Sequence, residues 1–129
     1  WSRGLGDVYK RQNINRLESV LGTSGLKAIS RIEEISPDFA KYIVNFGYGD
    51  IYKRPILSDK IKEIACVSNM LGQGKTGFAI KTHISSMLNV GWSKEEIIEL
   101  IIFLAVYHGF PTSVEALLVA QEVFEESKE

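Results

Sequence analysis

Cysteine and histidine are scarce in this chain. Its 129 residues include one cysteine, Cys66, and two histidines, His83 and His108. A single cysteine excludes an internal disulfide framework and is typical of a reducing compartment, so we expect a cytoplasmic protein. The paired Cys and His spacing of a zinc site is not found, and we predict no metal ligation. No secretory signal peptide is visible.

Neither sign of charge predominates. The chain has 15 basic and 16 acidic residues and a formal net charge of -1. Without a basic face or tail, we expect neither nucleic acid nor an anionic membrane surface as a partner. The most apolar stretch begins at Ile97 and is interrupted by Glu99. It is shorter than the roughly 20 residues that a membrane-spanning helix needs.

The sequence pattern is that of helices. Apolar residues recur at spacings of three and four, and no convincing strand is found. We therefore predict an all-α protein of about six helices, with residues 13–129 forming a single domain. Residues 1–12 show no helical period and no starting Met. We expect them to be a disordered or non-native arm.

Capping signals predict where individual helices begin and end. Ser24 could cap the second helix, and Ser36–Pro37 opens a third, which should stop within Gly47–Gly49. The last helix is predicted from Ser113 to Glu126. The apolar residues expected to point inward from it are Val114, Leu117, Leu118 and Phe124.

The most informative segment is a helix predicted from Lys94 to about His108. Ser93 and Glu96 have the spacing of a capping box, which marks its start. Glu99 is the only charged residue between Ile97 and Tyr107. A helix that is apolar on nearly every side must be covered on every side. Since a chain of this length has limited surface to cover it, we predict an obligate oligomer, with any pocket between helices or subunits.

His83 and Glu63 are the first candidates for chemistry. On its predicted helix His83 has apolar neighbours, Ala79 and Met87, so its ring should point inward or into a cleft. The pattern favours a core histidine bonded to a backbone carbonyl, and the functional alternative is a proton donor or acceptor. Glu63 is either a solvated carboxylate paired with Lys60 or a half-buried acid facing His83.

Five further residues could take part in a site. Cys66 is typical of a small buried residue and would be a redox centre only if exposed near a positive group. Arg54 could cap a helix or grip a substrate carboxylate. Tyr52 and Tyr107 could line the same cleft or be core aromatics. His108 ends a helix, where a favourable contact with the helix dipole also explains it.

Several segments together resemble the carboxymuconolactone decarboxylase family, relatives of alkylhydroperoxidase D. The order and spacing agree from about Ser36 to the end of the chain. The matching segments are Tyr48–Pro55 (YGDIYKRP), Lys62–Ile64, His83, Leu88–Ile97 (LNVGWSKEEI) and Leu104–Pro111 (LAVYHGFP).

The resemblance implies an alkylhydroperoxidase D-like helical subunit that assembles into rings, typically a hexamer made as a trimer of dimers. Its decarboxylase branch converts 4-carboxymuconolactone to 3-oxoadipate enol-lactone in aromatic catabolism, without a cofactor. In that reaction His83 would donate a proton, Glu63 would orient or charge it, and Arg54 would hold a substrate carboxylate. Tyr52, where this branch usually has Trp, and His108, where it has a small residue, would line the cleft with Tyr107.

The resemblance also implies a second activity, the thiol peroxidase chemistry of the peroxiredoxin-like branch. That branch has cysteines seven and four residues before the histidine, and here these positions are Thr76 and Ala79. Two alternatives to a decarboxylase therefore stay open. One is a redox protein that uses Cys66, and the other is a non-catalytic oligomer that binds a small molecule or a protein.

Overall fold

A computed structural model describes residues 11–128, and the regular structure in this range is helical. Seven α-helices and one π-helix follow in chain order: α1 Arg11–Leu21, α2 Thr23–Ile35, α3 Pro37–Lys41, the π-helix Tyr42–Ile51, α4 Asp59–Gly72, α5 Phe78–Asn89, α6 Lys94–His108 and α7 Phe110–Glu126. No strand occurs within the described range, which confirms the all-α class. None of these helices is both long and apolar enough to cross a bilayer. The predicted arm of residues 1–12 lies outside the described residues, apart from Arg11 and Gln12 in α1.

The chain forms two compact units that divide between Asp59 and Lys60. The first unit contains α1 to α3 and the π-helix. Gly22, and not Ser24, is the N-cap of α2, and its φ of 75° is favourable only for glycine. The Ser24 hydroxyl instead donates to the Leu21 carbonyl. The buried apolar side chains of this unit are Ile14, Leu17, Val20, Leu21, Ile29, Ala40, Val44 and Tyr48.

The third helix begins where predicted but does not stop where predicted. The Ser36 side chain accepts a hydrogen bond from the Phe39 amide and caps α3. Instead of ending at Gly47–Gly49, the chain continues as a ten-residue π-helix. A β-carbon on Gly49 would lie 2.8 Å from the Asn13 side chain. Glycine at this position therefore allows the π-helix to pass close to α1.

The second unit is built from α4 to α7 around one apolar core. Each of the four helices contributes side chains that are almost completely buried. The core consists of Val67, Leu71, Ile80, Ile84, Met87, Ile97, Ile101, Ala116, Ala120 and Val123. Burial of side chains of this size contributes about 1.5–3 kcal/mol for each large aliphatic residue.

Helix α6 has the predicted bounds. Both capping-box hydrogen bonds are present, since Ser93 Oγ accepts from the Glu96 amide and Glu96 Oε1 accepts from the Ser93 amide. Only Ile97 and Ile101 are fully buried. The large apolar side chains that α6 leaves exposed are Ile98, Ile102, Phe103, Val106 and Tyr107.

The predicted inward face of α7 is largely wrong. Phe124 does pack against the core, but Val114, Leu117 and Leu118 are 54%, 38% and 54% exposed. The side chains that face inward are the smaller ones: Ser113, Ala116, Ala120 and Val123. Short side chains let α7 pack closely against its neighbours, and the larger apolar residues then occupy the outer face.

Replacing Ser93 by Ala should lower the free energy of unfolding by about 1 kcal/mol, because the Glu96 amide loses its acceptor at the start of α6. Urea denaturation measures the change. Ser127→Ala, at the exposed end of α7, should stay within about 0.5 kcal/mol of the wild type. Equal effects of the two substitutions would contradict a specific contribution of the cap.

Candidate functional site

Helix α4 carries a carboxylate on its buried face. Glu63, Val67 and Leu71 follow each other at intervals of four residues, so they lie along one stripe of the helix. All three are completely buried. Cys66, three residues after Glu63, lies beside this stripe and is half-buried. The Glu63 carboxylate therefore requires hydrogen-bonding partners from within the protein.

Helix α5 supplies those partners. His83 and Ser86 are three residues apart and thus share a face with the buried Met87. His83 Nδ1 lies 2.8 Å from Glu63 Oε1, and Ser86 Oγ donates to the same oxygen at 2.7 Å. Ser86 is fully buried, whereas the His83 side chain keeps 18% of its surface exposed. The contact between Glu63 and His83 thus joins a buried carboxylate to an imidazole that solvent can still reach.

The surroundings of His83 favour its protonated form. Burial on its own would lower the pKa of the imidazole, but the hydrogen bonds and charges of Cys66 and Glu63 outweigh burial and raise the pKa to about 9. An imidazole with this pKa carries a proton at neutral pH. The site can therefore offer a proton to a molecule that reaches the ring.

Cys66 joins the same group. The ligand atoms of Glu63, Cys66 and His83 all lie within 4.8 Å of one another. The sequence analysis predicts no metal ligation because the paired Cys and His spacing of a zinc site is not found. The three residues of this group lie on two helices and span 20 sequence positions, from Glu63 to His83. The structure thus assembles an oxygen, a sulfur and a nitrogen donor at one place.

Arg54 and Tyr52 belong to the first unit, in the segment after the π-helix. Arg54 is exposed. The Tyr52 ring stacks on Tyr48, with ring centroids 4.4 Å apart, and its carbonyl accepts from Arg16. Arg16 also binds Asp59, which ties both ends of this segment to α1. Arg54 therefore extends from a segment that is held in place.

Tyr107 and His108 lie at the end of α6. Tyr107 is 76% exposed and contacts Phe103. Ser113 Oγ donates its only proton to the Ile101 carbonyl, so His108 Nε2 must donate to Ser113. His108 Nδ1 is buried with no hydrogen-bond partner in the described part of the chain. The structure thus gives His108 a role in joining α6 to α7.

Ser86 was missed in the sequence analysis. Its position three residues after His83 was the available signal, since a polar residue there shares the inward face. The Asn13 network of the first unit was missed as well. There the Asn13 amide donates to Asn45 Oδ1, and Lys53 donates to Asn13 Oδ1. The residues of the Asn13 network are 32 and 40 positions apart in sequence, so no local spacing indicates that they are in contact.

Each unit also has an open surface cavity. A cavity of about 370 Å³ in the first unit is lined by Asn13, Lys41, Tyr42, Asn45, Phe46 and Asp50. One of about 520 Å³ in the second unit runs between α6 and α7, beside Ile98, Leu117 and Phe124. Neither of these two cavities includes His83.

Comparison with known proteins gives matches over most of the chain. The sequence profile of the carboxymuconolactone decarboxylase family matches residues 37–122, which include Arg54, Glu63 and His83. The chain is 26% identical over 117 residues to 4-carboxymuconolactone decarboxylase of Acinetobacter baylyi, covering 90% of this chain and 87% of that protein. It is 30% identical over 80 residues to nitrosuccinic acid decarboxylase of Metarhizium robertsii, and this match covers 62% of this chain and 55% of that protein.

The raised pKa of His83 predicts a pH-dependent stability. The folded protein holds the imidazole proton up to a pKa of about 9, whereas the unfolded chain releases it near 6.5. The contribution of the His83 proton to the free energy of unfolding is therefore complete below pH 6.5, and it is lost as the pH rises to about 9. The expected loss in the free energy of unfolding is on the order of 3 kcal/mol.

Urea denaturation across this pH range measures the loss, and NMR titration of the His83 ring protons measures the pKa directly. Glu63→Gln should flatten the pH dependence because the imidazolium loses its anionic partner. A His83 ring that titrates at or below the ordinary histidine value in the wild type would show the assignment to be wrong.

Proposed function

Because the chain belongs to the carboxymuconolactone decarboxylase family, we propose that it is a cofactor-independent decarboxylase of a small carboxylated lactone or a related acid. The names of both relatives specify a carboxylic acid with an electron-accepting group, a lactone carbonyl in one and a nitro group in the other. Loss of carbon dioxide leaves an electron pair that such a group can accept. The Glu63–His83 pair supports the proposal most directly, since it can supply the proton that follows.

The proposed reaction has two steps. The bond between carbon and the substrate carboxylate breaks, and its electron pair passes into the electron-accepting group. His83 then donates a proton to the carbon, and the ring regains a proton from solvent. Since Glu63 holds Nδ1, the donated proton is the one on Nε2. Glu63 stabilises the imidazolium, and Ser86 keeps the carboxylate in position.

Substrate binding is assigned to the remaining candidates. Arg54 is proposed to bind a substrate carboxylate through two parallel hydrogen bonds, which its guanidinium geometry favours. Tyr52 is proposed to line the same cleft. Tyr107 and His108 lie where α6 leaves apolar surface exposed, so they would line a cleft that a second subunit completes.

His83→Gln should lower kcat for 4-carboxymuconolactone at least about 100-fold, because a positioned general acid contributes roughly 10²- to 10⁴-fold. Loss of the lactone, followed spectroscopically with the purified full chain, measures the rate. Arg54→Gln should act differently and raise KM more than it lowers kcat, since the residue is proposed to bind the ground state as well. Circular dichroism verifies that each variant is folded. Turnover by His83→Gln at a rate near that of the wild type would contradict the mechanism.

Cys66 separates the decarboxylase proposal from the redox alternative. Its position beside His83 favours some thiol reactivity, although Thr76 and Ala79 stand where the peroxidase branch has its two cysteines. Cys66→Ser should retain most of the lactone turnover if the protein is a decarboxylase. Peroxide reduction that disappears in this variant, together with no turnover of any acid, would favour the redox alternative.

We also propose that the subunit assembles with copies of itself, as a hexamer made from three dimers. The outer faces of α6 and α7 expose nine large apolar side chains, namely Ile98, Ile102, Phe103, Val106, Tyr107, Phe110, Val114, Leu117 and Leu118. Soluble monomers rarely leave an apolar surface of this extent in water. A second copy presents the same apolar face, so two copies can cover each other's exposed apolar side chains.

Ile102→Asp should dissociate the assembly while leaving the subunit folded. Ile102 is 54% exposed, so a charge there remains solvated in the free subunit but is buried in the interface. The neighbouring Ile101→Asp is the matched comparison, because Ile101 is fully buried in the core and the same charge should unfold the subunit. Sedimentation velocity and circular dichroism distinguish the two results. A complex of wild-type size formed by Ile102→Asp would place the interface elsewhere.

A further inference from the structure

The group formed by Glu63, Cys66 and His83 has chemistry that decarboxylation does not require. The imidazole transfers the proton and the carboxylate stabilises its charged form. The Cys66 thiol helps to raise the pKa of His83 but takes no direct part in the transfer to carbon. Yet the three ligand atoms lie within 4.8 Å of one another, on the two helices α4 and α5. Oxygen, nitrogen and sulfur donors in such a group are the combination that zinc accepts in proteins.

The dimensions are close to those of a coordinated ion. Bonds of about 2.0–2.3 Å at tetrahedral angles place neighbouring ligand atoms roughly 3.3–3.8 Å apart. Small side-chain shifts would bring the present arrangement to that geometry. Cys66 and His83 are only partly buried, so an ion can approach from the side on which they are exposed. The thiol also favours zinc and similar ions over magnesium and calcium, which prefer oxygen ligands.

Ser86 strengthens the case for a built site. Its hydroxyl is fully buried and donates to Glu63 Oε1 at 2.7 Å. Ligands to metal ions are commonly oriented by such hydrogen bonds from residues that do not touch the ion. The carboxylate is therefore held in a fixed direction before any ion arrives.

We propose that Glu63, Cys66 and His83 form a three-ligand site for zinc and chemically similar divalent ions and, resting on the proposed function, that zinc inhibits decarboxylation by occupying this site. On binding, the Cys66 thiol releases its proton to solvent, and His83 coordinates through a nitrogen that carries no proton. The ion then takes the place of the proton between His83 and Glu63. An imidazole bound through Nδ1 keeps its Nε2 proton, but loss of that proton would leave an imidazolate. Zinc-bound His83 is therefore a far weaker acid than the imidazolium, and zinc binding suppresses proton donation to the substrate carbon.

Metal binding is tested on the full chain after dialysis against a chelator. Equilibrium dialysis with Zn²⁺ should give one ion per subunit, and Co²⁺ should produce the near-ultraviolet absorption of a thiolate–cobalt bond. Cys66→Ser should abolish this absorption and weaken Zn²⁺ binding at least about 100-fold, because loss of a mere supporting residue already costs about 10- to 100-fold. His108→Gln is the matched control, since it removes the chain's other imidazole and should leave Zn²⁺ affinity unchanged.

Each result supports or overturns the site independently of the proposed decarboxylation, because binding is measured without substrate. Equal Zn²⁺ affinity of the wild type and Cys66→Ser, or a Co²⁺ complex without thiolate absorption, would overturn the site. Turnover by the metal-free protein that falls as Zn²⁺ is added would support the inhibitory role. Turnover that rises with Zn²⁺ would overturn it. A protein that binds Zn²⁺ through Cys66 but turns over no acid would contradict the proposed function and the inhibitory role that rests on it, and would support the metal site itself.

Discussion

The buried carboxylate of Glu63 is the constraint on which the second unit depends. It lies on the same stripe of α4 as Val67 and Leu71, and it is as completely buried as they are. A carboxylate in that position is strongly unfavourable unless donors reach it. His83 and Ser86, both on α5, bond to one of its oxygens. The packing of α5 against α4 is therefore what supplies the Glu63 carboxylate with hydrogen-bond donors inside the core.

The same contact links stability to chemistry. Glu63 and Cys66 hold the proton on His83 to a pKa of about 9, which stabilises the folded protein at neutral pH. A proton held in this way is available in nearly every molecule at neutral pH, although the ring gives it up less readily than an ordinary imidazolium does. An electron-rich carbon formed by loss of carbon dioxide is basic enough to take it. The high pKa of His83 thus suits a substrate whose own reaction produces a strongly basic carbon.

The second constraint concerns the outside of the subunit. Helix α7 places Ala116 and Ala120 in the core and leaves Leu117 and Leu118 on its outer face. Rules that place the larger apolar residues inward fail here because α7 has two apolar faces and space for only small side chains on the inner one. Helix α6 likewise leaves large apolar side chains exposed, and the proposal that a second copy covers them rests on this observation.

Local signals in the sequence are enough to predict the helical class and several helix ends. The capping box at Ser93 and the cap at Ser36 act within one helical turn, so they can be recognised without knowing any residue distant in sequence. The Glu63–His83 contact could be suggested only as one of two alternatives. The participation of Ser86 and Cys66 in it, the π-helix and the inner face of α7 could not be predicted. They depend on which side chains distant segments bring together when the helices pack, and no local pattern of residues specifies that.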